Sequence, residues 1–166
     1  MKIVNIIPVL LCAVGSSIAV SGQEPIDLTK DATYTMSSSY DAINVNRDFL
    51  LRDGKRIAST LGDYSQAFAF HTADEEDPFI VITLKKDAVL KTIEIENRQD
   101  GGQARAATLT IWVSGDKKEW KQVWTAKKAE SKWIIHFEKE VRAKYIKMGL
   151  QERQCLHLNK VRVFGN

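Results

Sequence analysis

The stretch that decides the fold is Leu-Thr-Ile-Trp-Val-Ser-Gly-Asp-Lys-Lys-Glu-Trp, residues 109–120. Its apolar residues Leu109, Ile111 and Val113 alternate with other side chains, and a period of two is typical of a half-buried strand. The segment 114–119 contains glycine and aspartate, which favour a turn, and we expect a second strand from Trp120. The stretch therefore predicts two strands joined by a turn.

Similar short runs occur on both sides of this stretch, and the sequence contains no convincing long amphipathic helix. Several short strands at regular spacing predict an all-β fold, an antiparallel, jelly-roll-like β-sandwich. Residues 37–64 are mostly polar with weak periodicity and are expected to form long ordered loops, where binding residues concentrate. The runs are Phe79–Leu84, Val89–Glu96, Trp133–Phe137, Tyr145–Leu150 and Val161–Phe164.

The first residues have the order of a secretory signal peptide. Lys2 supplies a positive charge, residues 3–14 are almost wholly apolar, and small residues follow. This order predicts a signal peptide over residues 1–22, with cleavage between Ala19 and Gln23, because the apolar run is too short to span a bilayer. We therefore expect a secreted protein, extracellular or periplasmic, with a single domain over residues 23–166.

Charge and cysteine content exclude several classes of partner. The formal net charge is +3, and the charges are interspersed without a basic block, which argues against a nucleic-acid partner. Cys155 is the single cysteine after the predicted leader, so no cysteine pair remains for a zinc site. The acidic run of residues 74–77 favours a solvated loop over a cation site.

A histidine and one later loop carry the candidate binding chemistry. His71 ends a loop, whereas His136 and His157 lie within apolar runs and are expected to be structural. The loop of residues 97–105 follows one strand, precedes another and contains two arginines and an aspartate. Loops at one end of a sandwich meet, so we expect His71 to converge with the arginines. Both guanidinium groups are expected to open to solvent because arginine is costly to bury.

The spacing of His71, Arg98, Asp100 and Arg105 resembles the sugar-binding signature of the F-type lectins, or fucolectins. The resemblance extends to other segments and to the wider discoidin, coagulation-factor type C and galactose-binding-like sandwiches, and it covers essentially all of residues 23–166. The segments are Ser37–Tyr40, similar to a serine-rich strand, Phe70–Thr72, the hairpin Thr110–Trp120 and the closing strand Val161–Gly165.

The resemblance implies a lectin that binds fucosylated or related glycans and is not an enzyme. His71, Arg98 and Arg105 would line a shallow pocket for L-fucose, and Asp100 would hold an arginine in place. These residue types suit a sugar, because arginine donates hydrogen bonds in a rigid fork and histidine either donates or accepts.

Two departures from the family pattern bear on the site. Many F-type lectins carry adjacent cysteines just after the Arg-x-Asp, where this chain has Gly101 and Gly102. The family also implies a calcium site, with Asp41, Asn44 and Asn46 as loop ligands. Lys160 stands where an acidic ligand is expected, so the sequence leaves open whether one Ca2+ binds.

Three alternatives remain open at this stage. One is a discoidin-like module for galactose-type glycans. Another is an adhesion or lipid-headgroup-binding domain that uses exposed loop residues such as Phe49, Leu50 and Leu51. The third is an enzyme, which is disfavoured because no Ser/His/Asp or Cys/His arrangement can be argued. The oligomeric state and the natural glycan do not follow from the sequence.

Overall fold

The computed structural model describes residues 23–40, 47–54 and 67–166. The predicted signal peptide and the proposed calcium ligands Asp41, Asn44 and Asn46 lie outside these ranges. Within them the helical segments are two 3-10 turns, Arg47–Leu50 and Gln103–Ala106. The strands are β1 (Ile26–Asp27), β2 (Thr33–Met36), β3 (Phe70–His71), β4 (Phe79–Asn97), β5 (Thr110–Ser114), β6 (Lys121–Thr125), β7 (Lys132–Gly149) and β8 (His157–Gly165).

Two long strands build the architecture. β4 pairs with β7 along most of its length, and the register shifts between Thr83 and Ala88. The first half of β4 also pairs with β2, whereas its second half pairs with β8. β4 and β7 thus pass from one layer of the sandwich to the other. We expected four separate strands here, and this is wrong because Lys85, Lys86 and Asp87 continue the strand instead of turning.

All the strand pairs are antiparallel, and the predicted β-sandwich is confirmed. Alternate residues of both layers point into one core, as in Ile80 and Ile82 of β4 and Val161 and Val163 of β8, all fully buried. Burying each such side chain contributes about 1.5–3 kcal/mol. The core is therefore the main source of stability, and it holds the loops at the ends of the strands in place.

The predicted turn in residues 109–120 is confirmed, with a shift at its second strand. Ile111 and Val113 of β5 are buried, Trp112 is half-buried, and β6 pairs back onto β5. β6 begins at Lys121, not at Trp120. The Ser114 hydroxyl accepts hydrogen bonds from the backbone N–H groups of Asp116 and Lys117, and the Asp116 carboxylate accepts from those of Lys118 and Glu119.

The serine-rich segment is not the strand that the family resemblance implied. β2 ends at Met36, and the Ser37 and Ser38 hydroxyls instead donate hydrogen bonds to the Glu75 carboxylate. A strand would turn these two hydroxyls to opposite faces, whereas here one carboxylate accepts from both. Among the described residues, no helix is long and apolar enough to cross a membrane.

Candidate functional site

The candidate site lies at the end of the sandwich where β3, β4 and β8 meet. β8 lies between the other two strands, because Leu158 pairs with Phe70 of β3 and with Asn97 of β4. His71 follows Phe70, and Arg98 follows Asn97. The register therefore places His71 and Arg98 on the two sides of one strand end.

Arg98 is buried, with a side chain only 8% exposed. Its Nε and Nη2 donate to the two carboxylate oxygens of Asp100, and its Cζ lies 4.8 Å from the centroid of the Phe68 ring. A bidentate carboxylate and an aromatic face offset much of the cost of removing a guanidinium from water. The expectation that both arginines open to solvent is therefore wrong for Arg98.

Gly102 makes room for this buried arginine. A Cβ atom at Gly102 would lie 2.6 Å from Cζ and 2.6 Å from Nε of Arg98. The Gly102 backbone N–H also donates to Oδ1 of Asp100, at 3.1 Å. A Cβ at Gly101, by contrast, would meet nothing within 4 Å. Of these two glycines, only Gly102 shapes the site.

The hydrogen bond of His71 to the backbone determines its tautomer. Nδ1 lies 2.6 Å from the Thr72 carbonyl oxygen, which can only accept, so Nδ1 carries a proton. Burial lowers the pKa of His71 below its usual value, and the positive charges of Arg98 and Arg105 act in the same direction. The neutral ring therefore offers Nε2 as an acceptor. Its centroid lies 5.3 Å from that of Phe68, the ring that Arg98 covers.

The remaining two predicted residues differ in exposure. Hydrogen bonding to Arg98 holds the pKa of Asp100 below its usual value, so this carboxylate stays ionised. Arg105 belongs to the 3-10 turn Gln103–Ala106 and is exposed. Its charge is close enough to lower the pKa values of His71 and His157. The site thus combines one neutral acceptor, two cationic donors and an aromatic ring.

Sequence reasoning missed His157 as a neighbour of this site. Its ring centroid lies 5.2 Å from that of His71 and 6.2 Å from that of Phe68. We expected a structural strand residue because His157 stands between two leucines. Its contact with His71 depends on the pairing of β3 with β8. No pattern within a single strand carries that information.

The predicted calcium ligands Asp41, Asn44 and Asn46 lie outside the described residues, whereas Lys160, which stands where an acidic ligand was expected, is described. Lys160 is 2.7 Å from Oδ1 of Asp53, and its ammonium also donates to the Arg52 carbonyl. A lysine that neutralises an acid here does not suit a dication. In the part of the chain that the structure describes, no three His, Cys, Asp or Glu side chains are grouped to hold a metal.

The residues that would support lipid binding are not exposed as expected. Leu50 and Leu51 are fully buried in the core, and Phe49 packs against the core from a partly buried position. The expectation of an exposed apolar loop is therefore wrong at both leucines, because Leu50, at the end of the 3-10 turn, and Leu51, directly after it, belong to the core.

Comparisons with known proteins agree with this architecture. The model of a domain family, described as the F5/8 type C domain, matches residues 34–158. No curated protein matches the chain by sequence.

Solved structures of similar fold include several sugar-binding proteins. A serum fucolectin of the striped bass, Morone saxatilis, matches with a TM-score of 0.73 and 18% identity, over 86% of this chain and 50% of that chain. This chain thus spans about half the length of that lectin. A fucose-binding module of Streptococcus pneumoniae matches with a TM-score of 0.64 and 21% identity, over 86% of this chain and 96% of that one.

A family 32 carbohydrate-binding module of Clostridium perfringens, solved in complex with galactose, is also similar. Its TM-score is 0.62 at 13% identity, over 85% of this chain and 98% of that one. At identities this low, the three likenesses establish the fold alone.

Proposed function

Because this chain belongs to the F5/8 type C domain family, we propose that it is a secreted carbohydrate-binding module for L-fucose or a related sugar. The observation that carries the proposal is the convergence of His71 and Arg98 on the ring of Phe68. In support, the proteins of similar fold include a fucolectin and a fucose-binding module. Secretion is supported by the signal-peptide pattern of residues 1–22.

The chemistry of the cluster suits a deoxy sugar. A sugar hydroxyl donates to Nε2 of His71 and accepts from a guanidinium. The ion pair with Asp100 engages Nε and Nη2 of Arg98, which leaves both Nη1 hydrogens for the sugar. Arg105 supplies donors from the solvent side, and the exposed Tyr40 ring, whose centroid lies 6.0 Å from that of His71, offers a surface for an apolar C–H group or methyl group.

The preorganisation of the donors favours binding, but the affinity for a monosaccharide is expected to be modest. Asp100 holds the Arg98 fork before the ligand arrives, so little side-chain entropy is lost at that residue. Water competes for every hydroxyl, and each charge-assisted hydrogen bond contributes about 1.5–3 kcal/mol. We therefore expect dissociation constants from about micromolar to millimolar.

A galactose-type glycan is the second candidate ligand, since one protein of similar fold was solved with galactose. Both sugars have an axial hydroxyl, so His71 and the arginines suit either. The methyl group of fucose distinguishes them, because it can pack on the exposed Tyr40 ring beside His71. No catalytic step is part of the proposal, and the similar structures named above are lectins or binding modules.

Arg105→Ala tests the proposal directly, because Arg105 is exposed and its loss leaves the core intact. We expect titration calorimetry to show fucose binding by the wild-type protein and a loss of about tenfold or more in the variant. The melting temperature should stay within about 1 °C, since exposed residues contribute little stability.

Arg142→Ala is the matched control, because Arg142 is an exposed arginine paired with Glu140 on β7, remote in the register from the site. It should bind fucose like the wild type. A glycan array on which the wild-type protein binds neither fucosylated nor galactose-type glycans would refute the proposed function.

A further inference from the structure

His157 is a buried polar side chain that the proposed contacts do not use. It is 1% exposed, and neither Nδ1 nor Nε2 has a hydrogen-bond partner among the described residues. A neutral imidazole has one donor and one acceptor, and leaving either unpaired inside a protein costs about 1–3 kcal/mol. Such a group calls for an explanation.

Two buried polar residues near His157, Thr72 and Asn97, have hydrogen-bond partners for their side chains. Thr72 is fully buried, and its hydroxyl accepts from the Leu156 backbone N–H and donates to the Ala73 carbonyl. Asn97 is fully buried as well, and all its side-chain groups are engaged. Thr72 and Asn97, on the strands that flank His157, are therefore satisfied, whereas the imidazole is not.

The surroundings of His157 keep it neutral. Burial lowers its pKa to about 3, and the charges of Arg98 and Arg105 add to this effect. A neutral imidazole has one donor and one acceptor, so a ligand hydroxyl, which can both donate and accept, matches it better than an anion. The ring lies beside that of His71, which the proposed sugar contacts, and beside the buried ring of Phe68.

We propose that His157 is a further sugar-binding residue, whose ring hydrogen-bonds a hydroxyl of the bound sugar behind His71. This rests on the proposed function, and it adds a second histidine to the site. Because His157 is covered, the sugar reaches it only after a neighbouring side chain rotates, and rotamer changes of this kind are common on binding. The unpaired ring is then the part of the site that the ligand completes.

His157→Phe separates recognition from packing, because phenylalanine keeps an aromatic ring and removes both nitrogens. We expect fucose affinity to fall about three- to tenfold, the effect of one neutral hydrogen bond. The melting temperature should be unchanged or higher, since two unpaired buried atoms are removed. His136→Phe is the matched control, because His136 is an exposed strand histidine bonded to Thr92, and its fucose affinity should not change.

Each result decides the inference. Fucose affinity that is unchanged in His157→Phe overturns it, as does a loss of affinity accompanied by a melting temperature below that of the control. If His157→Phe does not fold, the ring-nitrogen chemical shifts of wild-type histidines decide: a change at His157 on adding fucose supports the inference, and no change overturns it. A wild-type protein that binds no sugar refutes the proposed function itself, so the two failures are distinct.

Discussion

Arg98 shows how single residues determine whether this site can exist. A guanidinium is rarely buried, and this one is held by two oxygens of Asp100 and the face of the Phe68 ring. It fits because Gly102 has no side chain in the space that it occupies. The absence of a side chain at residue 102 is as necessary as the presence of the carboxylate. Arg98 is thereby oriented before any ligand binds.

Gly102→Ala is expected to weaken fucose binding at least tenfold and to lower the free energy of unfolding by about 1–3 kcal/mol, because Arg98 and Asp100 lose their hydrogen bonds. The backbone at Gly102 has φ −89° and ψ 9°, which alanine tolerates, so the new Cβ acts by pushing the Arg98 side chain away from Asp100. Gly101→Ala is the control, since a Cβ there meets nothing within 4 Å. Titration calorimetry on both variants tests this, and equal affinities would contradict it.

Fucose binding should be lost on acidification through the titration of His71. Its pKa lies below the usual 6.5, so the ring is neutral at pH 7 and Nε2 accepts a hydrogen bond. As the pH falls through the lowered pKa, Nε2 gains a proton and can no longer accept. Burial lowers this pKa most, and Arg98 and Arg105 lower it further, whereas the hydrogen bond to Thr72 and the charge of Asp100 oppose them.

We therefore expect affinity to be constant from pH 8 to about 6.5 and to decline below that value. Calorimetric titrations with fucose across this range measure it. Tighter binding at pH 5 than at pH 7 would be inconsistent with a neutral His71 acceptor.

At the scale of elements, hydrogen bonds between loops hold the surroundings of the site in place, in addition to the pairing of strands. The acidic run Asp74–Asp77 was expected to be a solvated loop, and Glu76 is indeed exposed. Glu75 is different, because its carboxylate accepts from the hydroxyls of Ser37 and Ser38. It fixes the segment after β2 to the loop between β3 and β4, next to His71.

Glu75→Ala should lower the free energy of unfolding by about 1–3 kcal/mol, because two partly buried hydroxyls lose a charged acceptor. Glu76→Ala, one residue away, should change it by less than about 0.5 kcal/mol, since Glu76 is exposed and its nearest cation, Arg153, is 3.9 Å distant. Urea denaturation of both variants makes the comparison. Equal losses would show that Glu75 does not connect the loops.

At the scale of the whole molecule, stability is expected to come from the shared core and not from a bound metal. Lys160, at the position where an acidic ligand was expected, neutralises Asp53. A chelator should therefore shift the melting temperature by less than about 1 °C, because a ligand that is not bound to the native state does not stabilise it. A large calcium-dependent rise in the melting temperature would show that Asp41, Asn44 and Asn46 bind the ion in spite of the lysine.

The sequence by itself determined the fold class, the hairpin of residues 109–120 and the residue types of the candidate site. Alternation of apolar residues is a local property of the sequence, and a strand with one buried face preserves it. The alternating residues Ile111, Val113, Val161 and Val163 are accordingly buried in the core. The family resemblance followed from the same local motifs.

Only the tertiary structure decided that β4 and β7 each cross both layers, that Arg98 is buried on Gly102, and that His157 lies against His71. These features arise where segments distant in sequence meet. Whether a guanidinium is exposed depends on Asp100 and Phe68 together, and whether a histidine is structural depends on the strand that pairs with it. Residues fix their own strand periodicity, but the register between strands sets which side chains share a site.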